Sequence, residues 1–119
     1  MRSMLNHSLT NGSPPQMRLR PEFLRAVLRG EKRATIHKGR KQVKPGLLLL
    51  ESNNEILAVH VTNVTVKRFR ELSAEDACAE GLPSIGALRE TLCCIYPDLR
   101  DHQYVTVISF QLPCGAQVP

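Results

Sequence analysis

Residues 56–66, ILAVHVTNVTV, constrain the fold more than any other stretch of this chain, because seven of the eleven are β-branched. Two heavy atoms on Cβ crowd a helical turn but pack well on a pleated surface, so the run predicts a long strand. Just upstream, Lys44-Pro45-Gly46 is a turn signal that delivers the chain into four consecutive leucines, residues 47–50, a second strand-sized run. Ser52-Asn53-Asn54 marks a reversal between the two apolar stretches, and the pair is expected to form a β-hairpin.

Helical signals flank the hairpin. Pro21 suits the first position of a helix, and Phe23, Leu24, Val27 and Leu28 recur on one face before Gly30 caps the end. Ala34 and Ile36 then alternate with Arg33, Thr35 and His37, as in a half-buried strand. Downstream, Ser73 opens a helix with Asp76 three residues later, near to a capping box, and Gly81 closes it. A further helix starts near Ser84, carries Leu88, Leu92 and Ile95 on one face, and ends at Tyr96-Pro97. Residues 104–111 are β-branched and aromatic and read as the last strand. Helices and strands in this order, without repeats or βαβ alternation, give an α+β class. A chain of 119 residues suits one domain, placed at 17–113, with 1–16 as a flexible Ser/Asn/Gly/Pro-rich leader and 114–119 as a tail.

Charge narrows the partners. Residues 17–46 hold ten Lys or Arg against only Glu22 and Glu31, and the whole chain carries a net charge of +5. Such an asymmetry makes a positive face that attracts phosphates, or a solvated surface that keeps the protein dispersed. The N-terminus has no apolar core of a secretory signal, and no apolar run approaches the roughly 20 residues of a membrane helix, so a cytoplasmic or nuclear location is expected. Cys78, Cys93, Cys94 and Cys114 match neither a zinc-ligand spacing nor a disulfide framework, and they read as reduced, partly buried thiols.

The common catalytic motifs are absent. Lys32 and Thr35 lie three apart, so an ideal strand would point them to opposite faces; joint action needs a bend near Arg33 or a lysine reaching in from the loop. A threonine hydroxyl is a poor nucleophile until its proton is removed, and a desolvated lysine can lose its charge and serve as that base. Glu80 could carry a proton to a leaving amine. Residue type alone does not single out these three, since strand lysines and helix glutamates are ordinarily structural or solvated.

The blocks GEKRATIHKG, KPG with LLLL, RELSAEDACAEG, LRETLCCIYP and VTVISF, taken in order, resemble the ASCH domain family across nearly all of residues 17–113. The first is similar to that family's G-x-K-x-x-T-x-R strand. The resemblance implies a small PUA-like β-barrel with flanking helices and a cleft where the basic strand meets the Glu80 helix. Within the family it is closest to the short N4-acetylcytidine amidohydrolases, which implies Lys32 as base, Thr35 as nucleophile and Glu80 as proton carrier, with no metal and no cofactor. One position departs from the pattern: His37 stands where the family has arginine, and an imidazole cannot reproduce the bidentate fork of a guanidinium. It can titrate near neutral pH instead, or simply pack.

Two readings therefore stand side by side. One is an amidohydrolase that removes the acetyl group of N4-acetylcytidine with Lys32, Thr35 and Glu80. The other is a non-catalytic RNA-binding module, a regulator of the translation or transcription coactivator type. In either, the partner is RNA or a modified nucleoside, held by Arg33, His37, Lys38, Arg40 and Lys41. Tyr96 and Tyr104 can stack on a base, although Tyr104 reads better as core or rim.

Overall fold

In the computed structural model, which describes residues 14–113, the elements run β1 (Gln16–Arg18), α1 (Pro21–Leu28), β2 (Ala34–Lys38), β3 (Gly46–Ser52), β4 (Glu55–Arg68), a 3-10 turn (Phe69–Glu71), α2 (Ala74–Ala79), α3 (Ile85–Ile95) and β5 (Tyr104–Gln111). The expected hairpin is β3 against β4, in register from Gly46 opposite Val61 to Ser52 opposite Glu55. Asn53 turns the corner with φ at 54°, a left-handed conformation that asparagine adopts more readily than most residues. Gln16, read as leader, already belongs to β1, which pairs in parallel with β3. Residues 1–13, most of the expected leader, and the tail 114–119 with Cys114 lie outside the described residues.

The sheet has the order β1-β3-β4-β5-β2 and is antiparallel except for β1 against β3. It curls into a half-barrel because β4, at 14 residues, serves β3 with its first half and β5 along its second. The register slips between Val61 and Asn63, leaving Thr62 as the extra residue of a bulge. Strand side chains alternate with a period of two, so one extra residue changes which parity faces inward. Val59 and Val61 point into one core before the bulge, and Val64 packs against the same core after it.

Two cores share β5. Leu24 and Val27 of α1 pack on Leu48, Leu50, Val59, Val61, Ile108 and Phe110. Leu88 and Leu92 of α3 and Ala77 of α2 pack with Ala34, Ile36, Phe69, Val105 and Val107. Residues 105–108 are consequently buried on both faces of the strand. Leu28 departs from expectation at 50% exposure. At about 100° per residue it lies some 40° beyond Leu24 on the side away from Val27, outside the arc that Phe23, Val27 and Leu24 define. The thiols of Cys78, Cys93 and Cys94 are free but exposed rather than partly buried.

Candidate functional site

β2 is an edge strand, and the N–H groups on its outer side need acceptors. The end of α2 supplies them: Ile36 N donates to Glu80 Oε2 at 2.9 Å, and Arg33 N donates to the carbonyl of Ala79. α2 is held in place at its other end, where Ser73 Oγ accepts from Asp76 N and the Asp76 carboxylate accepts from Ser73 N and from Lys67 Nζ at 3.0 Å. Docking this closely requires Gly81. Its φ is +82°, and a Cβ built there would lie 2.9 Å from the Glu31 carbonyl oxygen. Only glycine lets the end of α2 lie flat on the backbone that leads to Lys32.

That approach creates a buried charge pair. Lys32 donates to Glu80 Oε1, with side-chain exposures of only 2% and 10%. Burial pulls the Lys32 ammonium below the usual lysine range and pushes the Glu80 carboxyl above the usual carboxylate range, each opposed by the charge of the other. Burial thus moves both groups toward neutrality. The Lys32 ammonium also lies 5.3 Å from the centroid of the Phe23 ring on α1.

Lys32 stands in the loop before β2, so strand alternation does not govern it, and it lines the same cleft as Thr35. The cleft encloses about 170 Å³ between β2, α3 and the β1–α1 corner. Its polar lining is Arg18, Arg20, Lys32, Thr35, His37, Glu80, Thr91 and Tyr96. Thr35 is only 3% exposed, and its Oγ1 lies 3.1 Å from His37 Nε2. His37 Nδ1 in turn lies 3.5 Å from the Tyr96 hydroxyl. Far from titrating near neutrality, His37 is pushed down to about 4 by burial, reinforced by the charges of Lys32 and Lys41. Among the described residues, no group of three or more His, Cys, Asp or Glu side chains is gathered to hold a metal ion.

Of the positions proposed for RNA or nucleoside contact, His37 alone lines this cleft. Arg33 lines a separate depression with Ala79, Ser109 and Phe110, and its guanidinium reaches Cys78 Sγ at 3.5 Å. Lys38 pairs with Asp98 at 2.9 Å. Arg40 lies 4.1 Å from the Tyr104 ring centroid, with Arg68 4.8 Å from the same ring, which makes Tyr104 a rim residue. The Lys41 side chain is exposed, and its backbone N–H donates to Thr106 Oγ1. Arg18 and Arg20, read only as part of the basic stretch, do line the cleft, as does Tyr96, read as a ring able to stack on a base; that it meets His37 across 59 residues no local pattern shows.

Comparison with known proteins bears on this architecture. No curated protein sequence matches the chain. Among solved structures, an ASCH domain from Lactobacillus crispatus superposes with a TM-score of 0.69 at 16% identity, covering 88% of this chain and 84% of that one. A mutant ASCH protein from Zymomonas mobilis gives 0.60 at 12% identity, with 81% and 67% covered. A protein of Enterococcus faecalis gives 0.60 at 16% identity, with 75% and 65% covered. At these identities the likeness is one of fold. The sequence profile of the ASCH domain matches residues 13–112. With a five-stranded half-barrel, three helices and a profile match over most of its length, the chain belongs to the ASCH domain family.

Proposed function

We propose that the cleft between β2, α2 and α3 hydrolyses the N-acyl bond of an acylated cytidine nucleoside, N4-acetylcytidine, with Thr35 as the nucleophile. The observation that carries this reading is the enclosure of one threonine hydroxyl, 3% exposed, in the same cleft as a buried lysine–glutamate pair. A volume of about 170 Å³ suits a single flat ring bearing a small substituent. Clefts that enclose drug-sized ligands run to about 300–1,000 Å³. Leu88, Leu92 and Ile95 supply apolar walls for a base, and Arg18 and Arg20 stand at the β1–α1 corner, where a ribose or phosphate would leave the cleft.

In this reaction Thr35 Oγ1 bonds to the acetyl carbon as its proton passes to a base of the cleft, and the carbonyl π pair moves onto oxygen. Collapse of that intermediate breaks the carbon–nitrogen bond, and the Lys32–Glu80 pair supplies the proton that lets the cytidine amine depart. Water then hydrolyses the acyl-threonine to acetate and free hydroxyl. Incubation of the protein with N4-acetylcytidine tests the proposal, with cytidine release followed by chromatography. Release is expected from the wild type and is expected to vanish in Thr35→Ala; release unchanged in that variant would overturn the assignment of the nucleophile.

A second reading, RNA binding without turnover, draws on a different surface. Arg40 and Arg68 lie against one tyrosine ring, next to Lys38 and His102, in an open depression outside the catalytic cleft. Guanidinium groups held on an aromatic ring retain donors for phosphate oxygens. Affinity for single-stranded RNA that falls steeply with salt supports this reading, and salt-independent binding opposes it. Among the described residues no helix is long and apolar enough to cross a membrane, and either activity would operate in the cytoplasm or nucleus, where RNA and its nucleosides occur.

A further inference from the structure

We infer that His37 is the base that activates Thr35, and that Tyr96 is the positioning residue that fixes which imidazole nitrogen carries the proton. The inference rests on Thr35 being the nucleophile of the proposed hydrolysis. It departs from the role that the family resemblance gives to Lys32.

The geometry starts from a buried hydroxyl. Among the described residues, the hydrogen bond of Thr35 Oγ1 is to His37 Nε2 at 3.1 Å, whereas Lys32 is committed to Glu80. Thr35 and His37 are two apart on β2 and therefore share a face, opposite Ile108 and Thr106 of β5. A buried O–H left without an acceptor costs about 1–3 kcal/mol, so the Thr35 proton points at Nε2. Neutral imidazole has one acceptor and one donor nitrogen. If Nε2 accepts, Nδ1 carries the hydrogen and donates to the Tyr96 oxygen, 3.5 Å away, while the half-buried phenol turns its own hydrogen to water. Tyr96 reaches this place as the C-terminal cap of α3, held by its backbone N–H on the Leu92 carbonyl.

The depressed pKa of His37, about 4, keeps the ring unprotonated throughout the neutral range. A low pKa also makes a weak base, and the same burial offsets this. As Thr35 Oγ1 bonds to the acyl carbon, its proton passes to Nε2 while an oxyanion forms on the substrate, and the new imidazolium and oxyanion attract each other strongly in a medium of low dielectric. Nε2 then returns its proton to the departing nitrogen, directly or through the Lys32–Glu80 pair, which gives one proton to the amine and takes the one from Nε2 in its place, so that His37 is neutral again. In the second half His37 takes a proton from the attacking water, and Thr35 recovers its hydrogen when the ester bond breaks.

Two readouts test the relay independently of cytidine recognition. The first is the 15N spectrum of the His37 ring at neutral pH, expected to show the Nδ1-protonated tautomer in wild type and a mixture of tautomers in Tyr96→Phe. The second is the burst of nitrophenol from p-nitrophenyl acetate, an activated ester that needs no nucleoside contact. The burst rate is expected to fall about 10²–10⁴-fold in His37→Gln, as for loss of a general base. In Tyr96→Phe kcat is expected to fall with KM and melting temperature unchanged. An Nε2-protonated ring in wild type, or a His37→Gln burst within a few-fold of wild type, overturns the inference; if His37→Gln does not fold, an unchanged tautomer and kcat in Tyr96→Phe does so. A relay that acylates Thr35 from the ester while N4-acetylcytidine stays intact upholds the inference and removes only the substrate. N4-acetylcytidine turned over at the wild-type rate by His37→Gln does the reverse.

Discussion

Lys32 and Lys38 bracket the same edge strand six residues apart, and each faces one carboxylate, yet they live in different media. The side chains of Lys32 and Glu80 are 2% and 10% exposed; those of Lys38 and Asp98 are 30% and 75% exposed. In water, the Coulomb attraction of a pair is screened and the side chains lose entropy in meeting, so such a pair is worth about 0–1 kcal/mol. In the interior, neither charge has water to fall back on, and each depends on the other. A charge that can be neutralised cheaply is useful for moving protons, whereas a solvated charge is useful for attracting phosphates.

Removing one partner on each side sharpens the contrast. Glu80→Ala leaves Lys32 buried without a counterion and frees the Ile36 N–H, so urea unfolding is expected to show a loss of about 3–5 kcal/mol, against little or no loss for Asp98→Ala. Equal losses would dissolve the distinction. The double replacement Lys32→Met with Glu80→Leu is expected to recover much of the stability, because no lone charge remains inside.

Gly81→Ala attacks the same pair from the backbone. A positive φ and a Cβ 2.9 Å from the Glu31 oxygen together are expected to cost about 2–4 kcal/mol, read again by urea unfolding, and to push the end of α2 away from Lys32. A variant as stable as wild type would mean that α2 does not need to lie this close.

Acid separates the regions by another route. His37 sits at about 4 when folded and near 6.5 when unfolded, so on acidification the unfolded chain takes up the proton first. Its contribution to stability is complete above pH 6.5 and is lost as pH falls through about 4, on the order of 3 kcal/mol in all. Melting curves across that window are expected to flatten in His37→Gln and to stay steep in Asp98→Asn.

The smallest effects belong to the exposed face. Arg40→Ala is expected to change stability by less than about 0.5 kcal/mol and to reduce the salt dependence of RNA binding by about one unit of slope. A collapse of the fold in this variant would show that the Tyr104 stack supports the sheet rather than serving a ligand.

The parts of this molecule that were legible from its residues are those set by neighbours in the chain. β-branched residues announced β4, Ser73 with Asp76 announced the start of α2, and Pro97 announced the end of α3. The bulge at Thr62 is a compromise between two partner strands, and a single strand's pattern did not announce it. The site was legible only through the family resemblance, because its contacts join residues far apart: Lys32 to Glu80 across 48 positions and His37 to Tyr96 across 59. The resemblance named Lys32, Thr35 and Glu80, which line one cleft, and marked His37 as the position where this chain departs from its family, but not what the imidazole would touch. Nor does composition state how deeply a histidine is buried, and burial is what lowers the pKa of this one. Charge pattern, meanwhile, does not say which basic residues share a cleft: Arg33, Lys38, Arg40 and Lys41 all lie outside the one that holds Thr35.

If Thr35 is the nucleophile, it bonds to the acyl group inside the cleft. Wild type and Thr35→Ala, each mixed with N4-acetylcytidine and quenched in acid within the first turnover, can be compared by intact-mass and peptide mass spectrometry. One acetyl group is expected on the wild-type chain, mapped to Thr35, and none on the variant, which is also expected to release no cytidine. Cytidine released by Thr35→Ala at the wild-type rate would contradict that role for Thr35.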